Sequence, residues 1–317
     1  MLRTLTAAIV IAAAAPFPGA TTSDVCGAKT IPFQQSALAA SRGSLWLACR
    51  DSGRLVKLSL EGATQKTVTL RGFQPWAVAA GGGAIWLISR ESPELWKVSP
   101  ATGRPLARIT LPGTPASLWF GAGSAWVGFD GVGFARVNAT TGKLSTFFTG
   151  NGVSAFAADG RSVFAVSHRD NAITRVDLAT GRASTLTAAI ADTATSSTEV
   201  AVFARGSLWI TGRGLDLLRV SRQTGKVATT IEIGPAGFGL AVSRGRLIVA
   251  SYTAAGARRG DPIVGRFSTV DPATNRLVAS TTATQTAYLS GYAIVAGALF
   301  AADTVQGRLV RLPIPTP

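Results

Sequence analysis

Residues 83–90 read GAIWLISR, and this octapeptide recurs along the chain. Close copies are GSLWLACR at 43–50, GSAWVGFD at 123–130 and GSLWITGR at 206–213; weaker copies are RSVFAVSH at 161–168, GRLIVASY at 245–252 and GALFAADT at 297–304. The large central side chains are spaced by 40, 40, 38, 45, 39 and 52 residues: Trp46, Trp86, Trp126, Phe164, Trp209, Ile248 and Phe300. Repeats of roughly 40 to 45 residues are typical of four-stranded propeller blades. The pattern therefore predicts seven blades.

A second phrase follows each octapeptide after a short gap. Examples are LWKVSPATG at 95–103, FARVNATTG at 134–142 and ITRVDLATG at 173–181. Such turns begin at a short polar side chain and end in a residue at positive φ, a conformation that glycine adopts easily. Each unit is therefore predicted to contain an inner strand, the octapeptide strand, a strand with a basic residue and an outer strand.

The predicted fold class is all-β, a single seven-bladed propeller domain over residues 21–317. The last unit stops after LVRLPI at 309–314 and lacks an outer strand. The segment KTIPF at 29–33 precedes the first inner strand, and we expect it to complete the last blade and close the ring. Eight blades would require an unrecognised copy between residues 209 and 300.

These phrases resemble the streptogramin-lyase-like and YVTN/NHL-like repeat propellers over nearly all of the predicted domain. The resemblance implies the fold and leaves function open, because one scaffold hosts unrelated activities. Lyases of this family open macrocyclic lactones with Mg²⁺, using histidine and glutamate residues from face loops. The corresponding residues here would be His168 and the loop carboxylates. The chain has one histidine, so the second histidine of the family pattern is missing.

The N-terminal segment 1–20 has the pattern of a secretion signal. Arg3 forms a short positive region, Leu5–Ala15 is apolar and uncharged, and prolines precede a small residue at the predicted cleavage point, Ala20. The apolar stretch is shorter than the roughly 20 residues of a membrane span, and no later stretch reaches that length. We expect a secreted, extracytoplasmic monomer without a transmembrane segment. Retention of the segment as an anchor is the alternative.

The chain has two cysteines, Cys26 and Cys49. In an exported protein we expect them to form a disulfide, with two separate buried thiols as the alternative. The bond would close a loop of about 24 residues and stabilise the fold by roughly 3 kcal/mol.

The formal charge is +15, from 31 basic and 16 acidic residues. Outside the cell, this charge indicates polyanionic surroundings such as wall polymers, acidic glycans or anionic lipid. A nucleic-acid partner is not expected, because no basic run or recognition motif accompanies the charge. The alternative is that the arginines, which are spread along the whole chain, reflect codon bias.

The loops between the second and third strands are expected to share one face with the loops between blades. The loops between second and third strands carry eight of the sixteen acidic residues. The turns of the opposite face, such as GGG at 81–83, suggest little charge there. The insertions 188–199 and 251–266 also belong to the first face. Its candidate ligand-binding residues are Arg50, Asp51, Trp76, Arg90, Glu91, Asp130, Arg169, Asp170, Arg213, Asp216, Arg258, Arg259 and Asp303. The alternative is that each acidic residue caps its own turn.

Aromatic residues and strand cations have two interpretations each. Trp76, Phe238 and Tyr288 fall near the starts of inner strands, where they would stack on a ligand or plug the channel. The cations of the third strand are expected to bind groups of neighbouring blades rather than to line an anion channel: Lys57, Lys97, Arg136, Arg175, Arg219 and Arg311.

The sequence contains no HExxH, G-x-S-x-G or Walker-type motif. A Mg²⁺ or Ca²⁺ site would require Asp51, Asp130, Asp170 and Asp303 to converge, since these cations need oxygen ligands. The leading hypothesis is a non-enzymatic extracellular binding or scaffold propeller without a cofactor, whose partner is an acidic glycan, a peptide or a protein. The alternatives are a metal-dependent carbon–oxygen lyase or hydrolase of a cyclic ester, with His168 as base, and a purely structural envelope protein.

Overall fold

The computed structural model describes residues 15–21, 25–26, 37–167, 169–187, 200–211, 216–234, 239–252, 265–282, 289–295, 297–303 and 308–314. Its strands are β1 (Ala15–Thr21), β2 (Ala37–Ser41), β3 (Ser44–Cys49), β4 (Arg54–Ser59), β5 (Thr64–Thr69), β6 (Ala77–Gly81), β7 (Ala84–Ile88), β8 (Glu94–Val98), β9 (Pro105–Thr110), β10 (Pro115–Gly121), β11 (Ser124–Phe129), β12 (Val132–Asn138), β13 (Leu144–Asn151), β14 (Val153–Ala158), β15 (Ser162–Ser167), β16 (Ala172–Asp177), β17 (Ala183–Thr187), β18 (Val200–Ala204), β19 (Ser207–Thr211), β20 (Asp216–Ser221), β21 (Val227–Glu232), β22 (Gly239–Ser243), β23 (Arg246–Tyr252), β24 (Gly265–Asp271), β25 (Arg276–Thr282), β26 (Leu289–Val295), β27 (Ala298–Asp303) and β28 (Arg308–Pro313). Within these ranges no helix is long and apolar enough to cross a membrane.

The strands form seven four-stranded antiparallel sheets, which confirms the predicted seven-bladed propeller. Blades 1 to 6 are β2–β5, β6–β9, β10–β13, β14–β17, β18–β21 and β22–β25, and blade 7 has the order β26-β27-β28-β1. The inner strands contact one another in chain order, and β26 contacts β2. The N-terminus therefore closes the ring, as predicted.

The closing strand is a different segment from the one predicted. β1 comprises Ala15–Thr21, and Ala15 pairs with Arg311 of β28. Lys29–Phe33 lies outside the described residues. Pro16 and Pro18 stand two residues apart, so their missing N–H groups fall on one side of β1. An outer strand can leave that side unpaired, which suits this segment to the edge of a blade.

The hydrophobic core consists of seven clusters, each between two neighbouring blades. In β3, Leu45 and Leu47 face blade 7 while Trp46 and Ala48 face blade 2. Both sides of the strand are thus buried, which explains why the central residues of the octapeptide are consecutively apolar instead of alternating with polar ones. The disulfide is confirmed: Cys26 and Cys49 are bonded, with their Cα atoms 5.5 Å apart, inside the cluster between blades 7 and 1.

The glycine that opens each strong octapeptide lies in a two-residue hairpin turn. Gly43, Gly83, Gly123 and Gly206 all have φ between 68° and 75°. In these turns the preceding residue also has positive φ, as in Gly82 at 60°. Two successive positive φ values are typical of the tight hairpin turn that matches strand twist.

Candidate functional site

The loops between second and third strands and the loops between blades open on one face of the ring, called here the loop face. The predicted ligand residues that lie within the described ranges are all on it: Arg50, Asp51, Trp76, Arg90, Glu91, Asp130, Arg169, Asp170 and Asp216. Other predicted residues and segments fall outside the described residues: His168, Arg213, Phe238, Arg258, Arg259, Tyr288, residues 188–199 and most of 251–266. The backbone of Asp303 ends β27, and its side chain is also outside them.

Trp76 is the centre of a cationic cluster between blades 1 and 2. Its indole N–H donates to the carbonyl of Ala116 in blade 3, at 3.1 Å. The guanidinium carbons of Arg50 and Arg90 lie 5.2 and 4.2 Å from the centre of its ring. Both guanidinium groups lie within the distance at which a cation is attracted to the face of an indole ring. Trp76 therefore positions two arginines at the mouth of the loop face.

Glu91 joins the loops of blades 1 and 2. Its carboxylate lies 3.2 Å from the guanidinium of Arg50, and its backbone N–H donates to Ser89 Oγ at 3.1 Å. When the Gln74 amide is oriented with its nitrogen toward Glu91, that nitrogen donates to both carboxylate oxygens of Glu91, at 2.8 and 3.0 Å. Arg90 has no such partner: it forms no ion pair or hydrogen bond with any residue that the structure describes.

A recess of about 430 Å³ adjoins this cluster. Its walls are residues 51–53 of blade 1, residues 69–74 between the blades, and Ser89, Glu91 and Ser92 of blade 2. The hydroxyls of Ser52 and Ser92 are buried and have no hydrogen-bond partner among the described residues. Ser52 and Ser92 occupy the same position in RDSGR and RESPE, the equivalent loops of adjacent blades. The recess thus combines the charges of Asp51, Glu91 and Arg71 with two buried serine hydroxyls.

Blades 3 and 4 are joined on the same face by Arg169. Its guanidinium donates to the backbone carbonyl of Asp130 at 2.6 Å and lies 3.2 Å from the Asp130 carboxylate. Asp170 accepts the backbone N–H of Asn151 at 2.7 Å. Several of the predicted ligand residues therefore connect neighbouring blades.

Asp216 of blade 5 lies opposite Glu232 across β20 and β21, which places two carboxylates side by side.

The predicted carboxylate cluster for a metal is not formed by the part of the chain that the structure describes. No three acidic, histidine or cysteine side chains within those ranges come together. Asp130 is paired with Arg169, and Asp170 binds a backbone N–H. The geometry of Asp51, Asp130 and Asp170 therefore offers no three-carboxylate site. His168 and the Asp303 carboxylate lie outside the part of the chain that the structure describes.

Two of the third-strand cations bind groups of the neighbouring blade, as predicted, and two others bind serines of their own blade instead. Lys97 donates to the carbonyl of Ala139 in the next blade at 2.7 Å, and Arg219 donates to Asn275 in the next blade at 3.0 Å. Arg136 and Arg175 donate instead to serines of their own blades, at 3.0 and 2.9 Å. These hydrogen bonds leave the cations in structural positions rather than lining a channel.

The opposite face, called here the turn face, is strongly basic, and the expectation of little charge there is wrong. It comprises the turns between first and second strands and between third and fourth strands, with the strand residues that flank them. Its described cations are Arg42, Arg104, Lys143, Arg161, Arg182, Arg205, Arg222, Lys226, Arg244, Arg246 and Arg276. Its described carboxylates are Glu61, Asp159, Asp177 and Asp271.

By the same definition the loop face is nearly balanced. Its described cations are Arg50, Arg54, Arg71, Arg90 and Arg169, and its described carboxylates are Asp51, Glu91, Glu94, Asp130, Asp170, Asp216 and Glu232. The described loop face thus has an excess of two negative charges, and the described turn face an excess of seven positive charges. Sequence reasoning missed this because each turn supplies only one or two cations, and successive turns are mostly about twenty residues apart in the sequence.

Comparison with protein-family models and with curated protein sequences finds no match. Among solved structures, the chain is similar to a catalytically inactive virginiamycin B lyase from Staphylococcus aureus, with 15% identity over 90% of this chain and 97% of that one (TM-score 0.69). The predicted streptogramin-lyase-like propeller is confirmed as a fold. The chain is also similar to hydrazine synthase of Kuenenia stuttgartiensis, with 13% identity over 90% and 97% of the chains (TM-score 0.67). BamB of Moraxella catarrhalis is similar at 15% identity over 87% and 82% (TM-score 0.58).

Proposed function

We propose that this protein is a non-enzymatic, extracytoplasmic binding propeller that holds a polar peptide segment of a partner protein on its loop face. The binding site is the recess between blades 1 and 2, next to the Trp76 cluster. Extracytoplasmic location is supported by the Cys26–Cys49 disulfide, because such bonds persist mainly in oxidising compartments.

The observation that carries the proposal is the pair of buried serine hydroxyls in the recess. Neither Ser52 nor Ser92 finds a hydrogen-bond partner among the residues described. A buried hydroxyl without a partner costs free energy, and a ligand that supplies a donor or acceptor recovers it. Both hydroxyl oxygens are shielded from solvent, so each serine side chain must rotate into the recess to meet a ligand. A peptide backbone offers N–H and C=O groups in alternation, so one segment can then satisfy both hydroxyls.

The charges around the recess favour a peptide over an acidic glycan. Asp51 and Glu91 would repel a polyanion, while the exposed guanidinium of Arg71 supplies an opposite charge on the same wall. The Arg50–Glu91 ion pair and the Gln74 contact hold the wall in place without a ligand. A pre-organised wall reduces the entropic cost of binding.

A displayed peptide library, selected on the immobilised protein, tests the proposal. Selected peptides should bind the double variant Ser52→Ala/Ser92→Ala at least about tenfold more weakly, since two hydrogen bonds are lost. The control is Ser167→Ala, which removes another buried, unpartnered hydroxyl in blade 4. Peptides that bind all three proteins equally, or a selection that yields no peptide, would contradict the proposal.

A second candidate is a lyase, supported by the fold similarity to virginiamycin B lyase over 90% of this chain. In this alternative, His168 would serve as the base and loop carboxylates would bind Mg²⁺. The test is incubation with Mg²⁺ and quinupristin, the compound present with that lyase. Ring opening by the wild type that is absent in His168→Ala would favour the lyase and overturn the non-enzymatic proposal.

A further inference from the structure

Three arginines of the turn face occupy a backbone conformation that suits arginine poorly. Arg42, Arg205 and Arg244 have φ values of 47°, 49° and 49° in the hairpin turns of blades 1, 5 and 6. A left-handed conformation costs an ordinary residue roughly 1–2 kcal/mol, and glycine or asparagine adopts it more easily. At the equivalent position blade 2 has Gly82 and blade 3 has Ala122, with φ values of 60° and 50°. Alanine tolerates this conformation without a functional side chain. A use of the side chain is indicated because arginine, and no other large residue, stands at the three remaining turns of this type that the structure describes.

These arginines lie around the channel mouth on the turn face. Each occupies the turn between an inner strand and the second strand, next to the ring's axis. All three are exposed, and none forms an ion pair or a hydrogen bond with any residue in the described ranges. A guanidinium nitrogen of Arg244 would lie 3.3 Å from a Cβ added at Gly297 of blade 7. The three side chains therefore form an arc over blades 5, 6, 7 and 1.

The carboxylates of this face do little to neutralise the arc. Asp159 is paired with Arg222 at 3.2 Å, Asp271 is paired with Arg246, and Asp177 accepts the backbone N–H groups of its own turn. Glu61 lies in the outer turn of blade 1. The arc is thus a set of uncompensated guanidinium groups, which pair with carboxylate and sulfate oxygens through two hydrogen bonds at once.

We infer that the turn-face arc binds an acidic polysaccharide. Of the five exposed large apolar side chains among the described residues, only Val242, on the inner strand two residues before Arg244, lies near the arc, and one valine does not make an apolar surface. A membrane surface and a protein interface would each require apolar or aromatic groups there. Single-stranded nucleic acid would require aromatic side chains for base stacking. A flexible chain of acidic sugars requires only spaced cations along its path.

The inference is tested with the full chain and a polyuronate as the probe. The variant Arg42→Asn/Arg205→Asn/Arg244→Asn removes three positive charges and puts asparagine, which tolerates positive φ, in each turn. We expect about tenfold weaker binding at low salt. The slope of log binding constant against log salt concentration should become shallower, corresponding to about three fewer ions released on binding. Its melting temperature should equal or exceed that of the wild type.

The matched control is Lys66→Gln/Arg71→Gln/Arg108→Gln, which removes three cations from outer strands and the loop face. It should bind the polyuronate nearly as tightly as the wild type. Equal weakening of both variants would show that net charge alone drives binding and would overturn the inference. So would absence of polyuronate binding, or tighter binding of phosphatidylglycerol vesicles or of a single-stranded oligonucleotide than of the polyuronate.

Discussion

Arg219 lies beside Trp209 on the neighbouring strand, with its guanidinium carbon 5.6 Å from the centre of the indole ring. Trp209 donates its indole N–H to the carbonyl of Ala204, at 3.2 Å. Arg219 donates to Ser207 of the same blade at 2.9 Å and to Asn275 of blade 6 at 3.0 Å. One aromatic–cation pair thus links the hairpin turn, the third strand and the next blade.

The Trp209–Arg219 pair should be energetically coupled. Blade 6 has Ile248 opposite Thr269 at these positions, so tryptophan and cation are both replaced there. We expect Trp209→Ile and Arg219→Thr to destabilise separately, and the double variant to lose about 1 kcal/mol less than their sum. Urea unfolding of the four proteins measures this coupling. Strict additivity would show that the two side chains act independently.

The repeat tryptophans should each be essential to stability. Trp86 and Trp126 are almost completely buried between blades and donate to the carbonyls of Gly81 and Gly121, both at 3.1 Å. Replacement of either by Ala should lower the free energy of unfolding by about 3–5 kcal/mol. A loss below about 1 kcal/mol in calorimetry or urea unfolding would be incompatible with this packing.

The propeller could be predicted because the information is local and repeated. The large residue of the octapeptide, the basic residue of the third strand and the Thr-Gly turn recur in the same order in most blades, at spacings of 38 to 52 residues. Four octapeptide tryptophans are buried in the structure, which confirms that the repeat was aligned correctly. The closing strand was harder to predict. KTIPF contains Ile and Phe, which favour strands, whereas APFPGAT follows an apolar stretch and resembles the end of a leader.

The candidate sites depend on ring closure, so sequence alone predicts them less well. The charged loops were assigned to one face correctly, yet the contacts of Arg50 with Glu91 and of Arg169 with Asp130 join loops about forty residues apart. The turn-face arc joins Arg42 to residues about 160 and 200 positions later, and no local pattern indicates that. Its one local signal is an arginine before glycine where a tight turn requires positive φ.

The disulfide should account for a measurable part of stability. It joins Cys26 to Cys49 of β3, so it fixes the segment after β1 to blade 1. We expect Cys26→Ala/Cys49→Ala to lower the free energy of unfolding by roughly 3 kcal/mol, the value for a loop of about 24 residues. The wild type under reducing conditions should approach the double variant. No difference between oxidised and reduced wild type would contradict the prediction.

Acid should destabilise the protein through two turn carboxylates. Backbone hydrogen bonds from Thr180 and Ala273 lower the pKa values of Asp177 and Asp271, respectively, below the usual 3.8. A lowered pKa in the folded state stabilises the fold above the unfolded value, and this contribution disappears as pH falls through the folded value. Unfolding free energy should therefore decline below about pH 4. Asp177→Asn/Asp271→Asn should flatten that decline, and urea unfolding of both proteins between about pH 7 and about pH 3 measures it; an unchanged decline in the variant would contradict the prediction.

The identity of the closing strand can be decided by two truncations. The structure pairs Ala15–Thr21 with β28, whereas cleavage after Ala20 would remove all of β1 except Thr21. A chain beginning at Thr22 retains Lys29–Phe33 but lacks β1, and a chain beginning at Ser36 lacks both segments and Cys26. These chains and the reference chain beginning at Ala15 all carry Cys49→Ala, and Cys26→Ala where Cys26 is present, so that loss of the disulfide does not distinguish them. If β1 closes blade 7, both should melt at lower temperature than the chain beginning at Ala15, and both should aggregate, because β28 becomes an open edge. A chain from Thr22 that stays monomeric and equally stable, beside a destabilised chain from Ser36, would assign the closing role to Lys29–Phe33. It would also make cleavage at Ala20 compatible with a closed ring.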